Sequence, residues 1–506
     1  MEGGGKENMG AKAIMVQGTS SHVGKSVIVT GLCRIFKQDG YSVAPFKAQN
    51  MSLNSYVTLE GGEIARAQAV QAEAAGVEPV VEMNPILLKP IRDFGSQVIL
   101  LGKPIANMTT REYYKFKNKA FQVVKESLEK LLDLYDIVVI EGAGSPAEIN
   151  LKRNDIVNMK VAHIARAPVI LVGDIDKGGV FASLIGTLEL LSQKDRQRVK
   201  GFIINKFRGE ISLLKSGISF LERRTKKKVF GVIPYFKEIG IDEEDSVSLE
   251  NKACLSKTPK LEIAVIKLPR ISNFTDFGPL EKEKDVAIKY VERKEELESA
   301  DAIILPGTKS TISDLLYIKR SGIAEKILQK ANRIPIIGIC GGYQMLGKLI
   351  IDKEHVESSE EKVEGLGLLD IVTVFEREKV LKRTEARVLN GGEIFKEIEG
   401  QIISGYEIHM GRSWMNLNVK PFLETLGRSR AFDGAIAEDK PIYGTYLHGI
   451  FENENLRSTF IYKIAERKGL DIKLERLPLR CSSYDRLADL LRKSLDMDEI
   501  YKLLLK

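Results

Sequence analysis

Short apolar runs that end in glycine or aspartate recur along the chain: AIMVQG, DIVVIEGAG, APVILVGDID, GFIINKF, IAVIKLP, DAIILPGT, IPIIGICGG and PIYGTYLHG. Between many of them lie longer stretches with apolar residues at helical spacing. Continuous Val/Ile runs alternating with helices predict parallel sheets, because a strand covered by helices on both faces must be apolar on both. Such sheets bind ligands at the carboxyl ends of their strands, where most of these runs finish in small or functional residues. The pattern weakens once, in the polar and acidic IGIDEEDSVSLENKACLSKTPKLE. The expected organisation is a flexible leader over 1–12, an α/β domain over 13–240, a linker over 241–260, a second α/β domain over 261–455 and a helical tail over 456–506. In the tail, Tyr484, Leu487, Leu490, Leu491 and Leu495 share one helical face, a stripe expected to dock as core.

Composition changes this picture little. A chain of 506 residues exceeds one ordinary core, and 43% hydrophobic with 29% charged residues is typical of soluble globular protein. The net charge of +7 is small for the length, and the basic cluster RRTKKK reads as a solvated helix end, not a nucleic-acid surface. A pocket for an acidic small molecule remains compatible. Cys33, Cys254, Cys340 and Cys481 are far apart and form no CxxC pair, which favours a reducing, cytoplasmic setting. No apolar run approaches the roughly 18–20 residues that span a bilayer, and MEGGGKENMGAK lacks the apolar core of a signal peptide. Small-molecule substrates are expected, with no nucleic acid and no membrane; the oligomeric state is open.

The first candidate site is GTSSHVGKS, between the strand AIMVQG and the helix KSVIVTGLCRIFKQDG. A strict phosphate loop leaves four residues between its glycines; here five separate Gly18 from Gly24. The strand–loop–helix context nevertheless turns backbone N–H groups toward phosphates. Gly18, Thr19, Gly24, Lys25 and Ser26 are therefore candidate nucleotide-binding residues, with Lys25 offsetting charge on the outer phosphates and the Ser26 hydroxyl a ligand for Mg²⁺. The competing reading is an ordinary turn with a chance GKS. Glu141, in VVIEGAGSP, is placed at a strand end to hold Mg²⁺ or to act as a loop acid. Asp174 and Asp176, in LVGDIDKGGVFA, could serve metal or substrate, or brace the glycine turn. The loop resembles the G-T-x-x-x-V-G-K-[ST] of dethiobiotin synthetases, which activate a carboxylate with ATP. That resemblance implies ATP-driven carboxylate chemistry, and it likens Asn205, in FIINKFRGE, to the asparagine of the group's base-recognition loop.

The second candidate site centres on PIIGICGGYQMLG, which puts Cys340 at the end of an apolar strand before two glycines and a helix. A cysteine on such a turn projects its sulfur, and the Gly341 amide can stabilise an oxyanion. The arrangement resembles the nucleophile elbow of class I glutamine amidotransferases. His448, in YGTYLHGIFEN, supplies a base, since nucleophile and base are assembled in space and not in sequence. Gly307, in IILPGTKSTISD, resembles the turn that gives the other oxyanion donor, and Gln344 is a candidate for holding glutamine. The expected chemistry is thiolate attack on the glutamine amide, loss of ammonia and thioester hydrolysis. Many relatives of this class carry an acid two residues after the histidine, but here that residue is Ile450, and Glu452 has a different spacing. The reading is a Cys340/His448 dyad with its orienting acid open. His409 is expected to be structural or interfacial, His355 solvent-exposed and His163 satisfied locally in a helix.

PFKAQNMSLNSYVT, EIARAQAVQAEAAGVEPVVEMNPILLKP, EGAGSPAEINL, DIDKGGVFAS, INKFRGE, GYEIHMGR and YDRLADLLR occur in one order. In that order they resemble the cobyric acid synthase family. The resemblance implies a dethiobiotin-synthetase-like ATPase joined to a class I glutaminase. It further implies amidation of the b, d, e and g carboxylates of adenosylcobyrinic acid a,c-diamide, with ATP and Mg²⁺ as cofactors and with corrinoid, glutamine and ATP as ligands. KAQNMSLNS is the discriminating motif, because the sibling that makes the a,c-diamide has an aspartate-bearing segment there. Gln49, Asn50 and Asn54, with Asp174 and Asp176, are the candidate substrate residues, although a hydrated, capped helix also accounts for the Gln/Asn-rich stretch from Gln49 through Gln71. Two rivals stay open: the same chemistry on another acid, such as cobyrinic acid or a cell-wall precursor, and a nucleotide switch of the partitioning-ATPase type.

Overall fold

A computed structural model describes residues 12–92, 95–236, 259–427, 431–474 and 480–505. The leader, apart from Lys12, and the linker, apart from its last two residues, lie outside the described residues. Two compact units result, and neither is contiguous in sequence. The first falls within Met1–Ser52, Glu63–Glu244 and Pro478–Lys506, the second within Leu53–Gly62 and Asp245–Leu477.

The first unit is built on a six-stranded parallel sheet in the spatial order Lys228–Pro234, Val199–Phe207, Val169–Asp174, Lys12–Gly18, Ile137–Glu141, Val43–Phe46. Lys12–Gly18 is central, and after Ile137–Glu141 the chain crosses to its other side, to Val169–Asp174. The carboxyl end of the central strand is thus a topological switch point, where open sheets bind ligands. Helix Lys25–Gln38 follows that strand and buries Ile28, Val29, Leu32, Cys33, Ile35 and Phe36. Its cover includes helix Arg480–Ser494, whose Tyr484, Leu487, Ala488 and Leu491 are buried while Leu490 is half-buried, and Leu495 just beyond it, also buried. The expected stripe is therefore docked core, with Ala488 completing the face.

The expected tail divides between the units. Helix Glu454–Arg467 packs Phe460, Ile461 and Ile464 into the core of the second unit, whereas Arg480–Ser494 and Met497–Leu505 belong to the first. The Gln/Asn-rich stretch is not one helix either. Gln49–Met51 is a strand of a four-stranded sheet, and helix Arg66–Ala75 carries Gln68 and Gln71 fully buried.

In the second unit the parallel strands run Val286–Val291, Leu261–Ile266, Ala302–Leu305, Ile336–Ile339, Ile442–Thr445. The sheet then continues through antiparallel Ala431–Ala437, Val419–Leu426 and Ile371–Val388, with Ile402–Met415 paired to the last. The expected parallel strands are thus present, and the antiparallel ones extend them into a mixed sheet. The long strand VFEREKVLKRTEARV leaves much of its middle in solvent, so it lacks the continuous apolar run that marks a parallel strand.

Candidate active sites

Four neighbouring strands of the second unit deliver the glutaminase candidates at their carboxyl ends. Gly307 follows Ala302–Leu305, Cys340 follows Ile336–Ile339, and His448 follows Ile442–Thr445. The fourth strand, Leu261–Ile266, leads to a short 3₁₀ turn, Phe274–Phe277, that carries Asp276. Cys340 sits at φ 52°, ψ −108°, a conformation that costs a non-glycine residue about 1–3 kcal/mol and that needs the surrounding structure to hold it. Gly342 makes the turn possible, since a Cβ there would meet the Leu305 carbonyl oxygen at 2.0 Å. The oxyanion candidates lie together: a Cβ on Gly307 would be 2.8 Å from His448 Cε1, and one on Gly341 would be 3.2 Å from the Thr308 nitrogen.

The orienting acid left open by the sequence is Asp276. His448 Nδ1 donates to Asp276 Oδ2 at 2.7 Å, and the Gly449 amide and the Tyr406 hydroxyl donate to Oδ1 at 3.1 and 3.4 Å. Tyr406 also stacks on the imidazole, with centroids 5.4 Å apart. Burial alone would lower the His448 pKa, but the Asp276 carboxylate and the Cys340 sulfur outweigh it and push the imidazole up to about 10. Cys340 is a hydrogen-bond partner of His448, and its thiol also points at the Ile408 carbonyl, 3.4 Å away. Sequence reasoning missed Asp276 because it lies 172 positions before His448. The available signal was an acid between two phenylalanines in NFTDF, all of it buried.

Other residues of this unit have different surroundings. The Gln344 amide is engaged within the protein: Oε1 accepts from Thr311 Oγ1 at 3.1 Å, and Nε2 donates to the Met410 carbonyl at 3.0 Å and to the Tyr446 hydroxyl at 3.3 Å. These bonds tie the Gln344 side chain to helix Thr311–Arg320 and strand Ile402–Met415. Glu452 is exposed, as is His355, and His409 stacks on Tyr446 with Nδ1 at the Gly411 carbonyl.

In the first unit the loop from Gly18 to Ser26 lies at the switch point. Gly24 is left-handed, at φ 96°, and a Cβ there would meet Asn205 Nδ2 at 2.1 Å. Thr19 N donates to the Val172 carbonyl, which continues the sheet into the loop. Lys25 Nζ reaches two loop carbonyls, Ser20 at 2.9 Å and Gly144 at 3.3 Å. Ser26 and Glu141 are brought together as expected, Oγ donating to Oε1 at 2.9 Å. Two buried residues outside the loop join them: Lys47 Nζ is 2.8 Å from Glu141 Oε1, and Gln71 Nε2 donates to Oε2 at 2.6 Å.

The remaining candidates divide. Asn205 is 3% exposed; its Nδ2 donates to the Val23 carbonyl at 2.8 Å, so it braces the loop, while Oδ1 has no partner within the described residues. Asp174 pairs with Lys206 at 2.8 Å and accepts the Asp176 amide, and Asp176 pairs with Arg208. These contacts tie the DIDKGG loop to the end of the neighbouring strand Val199–Phe207. Gln49 accepts from the Tyr113 hydroxyl at 2.6 Å, and Asn50 donates to Gln68 at 2.9 Å. Asn54 is not with them: it belongs to the second unit, is 2% exposed, and accepts the Phe274 amide at 3.2 Å. Among the described residues no cluster of three or more His, Cys, Asp or Glu could hold a metal, and no helix is long and apolar enough to cross a membrane.

A switch-point phosphate loop and a cysteine elbow backed by a His–Asp pair define a glutamine amidotransferase that carries a nucleotide-binding domain. Family comparison agrees. The CobB/CobQ-like glutamine amidotransferase domain matches residues 262–456, and the CobQ/CobB/MinD/ParA nucleotide binding domain matches residues 14–249. The cobyric acid synthase of Desulforamulus reducens is 52% identical over 98% of both chains, and that of Pelotomaculum thermopropionicum is 50% identical over 98% of this chain and 97% of its own. A probable cobyric acid synthase of Methanothermobacter thermautotrophicus is 50% identical over 98% of this chain and all of its own. The chain belongs to the cobyric acid synthase family, and is a glutamine-dependent amidotransferase ligase.

Proposed function

We propose that this enzyme amidates the b, d, e and g carboxylates of adenosylcobyrinic acid a,c-diamide, through acyl phosphates and with ammonia released at Cys340. The observation that carries the reading is the Cys340–His448–Asp276 constellation in a chain of this family whose other unit holds Lys25, Ser26 and Glu141 around a phosphate loop.

With its pKa pushed up to about 10 against the pull of burial, His448 is charged at neutral pH and carries the proton that the departing nitrogen needs. The sulfur attacks the side-chain carbonyl carbon of glutamine. The oxygen that becomes negative is met by the Gly341 amide and by the Gly307–Thr308 turn. His448 gives its proton to the nitrogen as the C–N bond breaks, and ammonia leaves. Water then attacks the thioester, with His448 taking its proton, and glutamate is released.

In the nucleotide-binding unit a substrate carboxylate oxygen attacks the γ-phosphorus of ATP, ADP departs, and ammonia displaces phosphate from the acyl carbon. Lys25 is the cation that offsets the developing charge. The residues present fit Mg²⁺, a hard ion held through one or two carboxylates plus phosphate oxygens. Ser26 Oγ and the Glu141 carboxylate would hold it, and its chemistry would be charge neutralisation on the phosphates. Asn205 Oδ1 is an acceptor suited to an adenine amino group.

The test is mass spectrometry of adenosylcobyrinic acid a,c-diamide incubated with enzyme, Mg-ATP and glutamine. Each replacement of OH by NH₂ lowers the mass by about one dalton, and four steps are expected. An unchanged corrinoid beside active glutamine hydrolysis would move the assignment to another polycarboxylate.

A further inference from the structure

The segment Leu53–Gly62 lies in sequence between two strands of the nucleotide-binding unit, Gln49–Met51 and Glu63–Ala65, yet it folds into the glutaminase unit. Its contacts converge on the turn that carries Asp276. Asn54 Oδ1 accepts the Phe274 amide at 3.2 Å, and the Ser55 amide donates to Asn273 Oδ1 at 2.9 Å. Asn54, Ser55, Asn273 and Phe274 are each no more than 4% exposed, so water does not compete for these bonds. Asn273 heads the turn at φ 52°, ψ 38°, a left-handed conformation in which a short polar side chain is favoured and its own hydrogen bond helps to hold it. Three residues further on, Asp276 fixes His448. The same segment also supports the imidazole from the side. The Tyr56 ring lies 6.0 Å from Tyr406, the ring stacked on His448, and Arg383 Nε donates to the Val57 carbonyl at 3.0 Å.

We propose that Asn54 and Ser55 are positioning residues of the glutaminase: they lock the Asn273–Asp276 turn and thereby aim His448 at Cys340. This rests on reading Cys340, His448 and Asp276 as the glutaminase site. A motif that looks from sequence like part of the amidation half would then set the geometry of ammonia release. Among the described residues the carboxylate of Asp276 meets groups that it also orients, namely His448, Gly449 and Tyr406. The turn beneath it is what gives those bonds a fixed reference.

The experiment uses the full-length chain with Asn54→Ala, Asn54→Asp and Asn273→Gly, measuring glutamine hydrolysis and ammonia-supported amidation in the same preparation. Asn273→Gly tolerates the left-handed backbone but deletes the acceptor for Ser55. Asn54→Ala and Asn273→Gly are expected to lower kcat for glutamine hydrolysis by about 10–10²-fold, with KM for glutamine unchanged. The alkaline limb of kcat/KM should move to lower pH as His448 loses its aligned carboxylate, and Asn54→Asp, which keeps an oxygen acceptor, should restore most of the rate. Ammonia-supported amidation at the wild-type rate by Asn273→Gly, and a cooperative melting transition in all three variants, show that they are folded. Wild-type kcat and pH profile in both variants would overturn the proposal. So would an equal loss of both activities that Asn54→Asp does not rescue, since that is general destabilisation. Hydrolysis that survives Cys340→Ala would instead overturn the glutaminase reading, and this proposal with it.

Discussion

The two sites of this enzyme are assembled in different ways. In the glutaminase unit every reactive group hangs from the end of a strand in one sheet, so backbone pairing sets the spacing of Gly307, Cys340 and His448. The side chains add short links, of which His448–Asp276 at 2.7 Å is the main one. In the nucleotide-binding unit the loop backbone is equally fixed, but its charged groups come from separate elements on long side chains. Glu141 ends a strand, Lys47 follows the edge strand Val43–Phe46, and Gln71 belongs to helix Arg66–Ala75. The first arrangement suits a covalent step, in which sub-ångström placement of a nucleophile matters. The second suits phosphoryl transfer, in which the protein supplies charge around a ligand that brings its own.

The difference can be tested by removing one group from each side. Lys25→Ala should abolish amidation with either nitrogen source, by about 10²–10³-fold or more, while glutamine hydrolysis persists. Steady-state assays of both activities check this, and full amidation by the variant would remove the phosphate-loop assignment.

Asp276→Asn should cost glutamine hydrolysis about 10²–10⁴-fold. Its sign with pH follows from the forces on His448. Burial pulls that pKa down and Asp276 with Cys340 pushes it up to about 10. Without the Asp276 charge the value falls, so the alkaline limb of kcat/KM should move to lower pH. Stability follows the same logic. A folded pKa of about 10 against about 6.5 unfolded contributes stability that is full below pH 6.5 and is lost as pH rises through 10. The glutaminase unit of the wild type should therefore lose more stability across that window than the variant, as calorimetry at several pH values would record.

The smallest effect on chemistry, but a clear one on folding, is expected from Lys47→Met. Lys47 and Glu141 are both almost wholly buried. Removing the cation leaves a buried carboxylate, held by Ser26 and Gln71, without the charge that balances it, at a cost of about 3 kcal/mol. A lower melting transition for the nucleotide-binding unit would register it, and an unchanged one would mean that the pair contributes nothing net.

What was legible in the sequence has a physical pattern. Glu141, Cys340 and His448 each stand at the end of an apolar run, while Lys25 and Ser26 open the helix after the glycine loop that follows one, and a strand end at a parallel sheet is where chemistry is placed. Their partners carry no such marker. Asp276 lies on an irregular turn, Lys47 looks like any lysine in PFKAQN, and Gln71 sits in a helix with weak amphipathic contrast. Only the folded chain brings them to the groups they hold. The same holds for Asn54, which lies in a short segment of the second unit whose flanking stretches on both sides belong to the first.

The central claim is that one chain releases ammonia at Cys340 and consumes it at a separate ATP-dependent site. Cys340→Ala tests it most directly, with corrinoid amidation followed under Mg-ATP plus glutamine and, separately, Mg-ATP plus ammonium chloride. The account predicts no amidation with glutamine and wild-type amidation with ammonium. Loss of both activities in a folded protein would contradict the two-site account, and amidation that continues with glutamine would remove Cys340 from the chemistry.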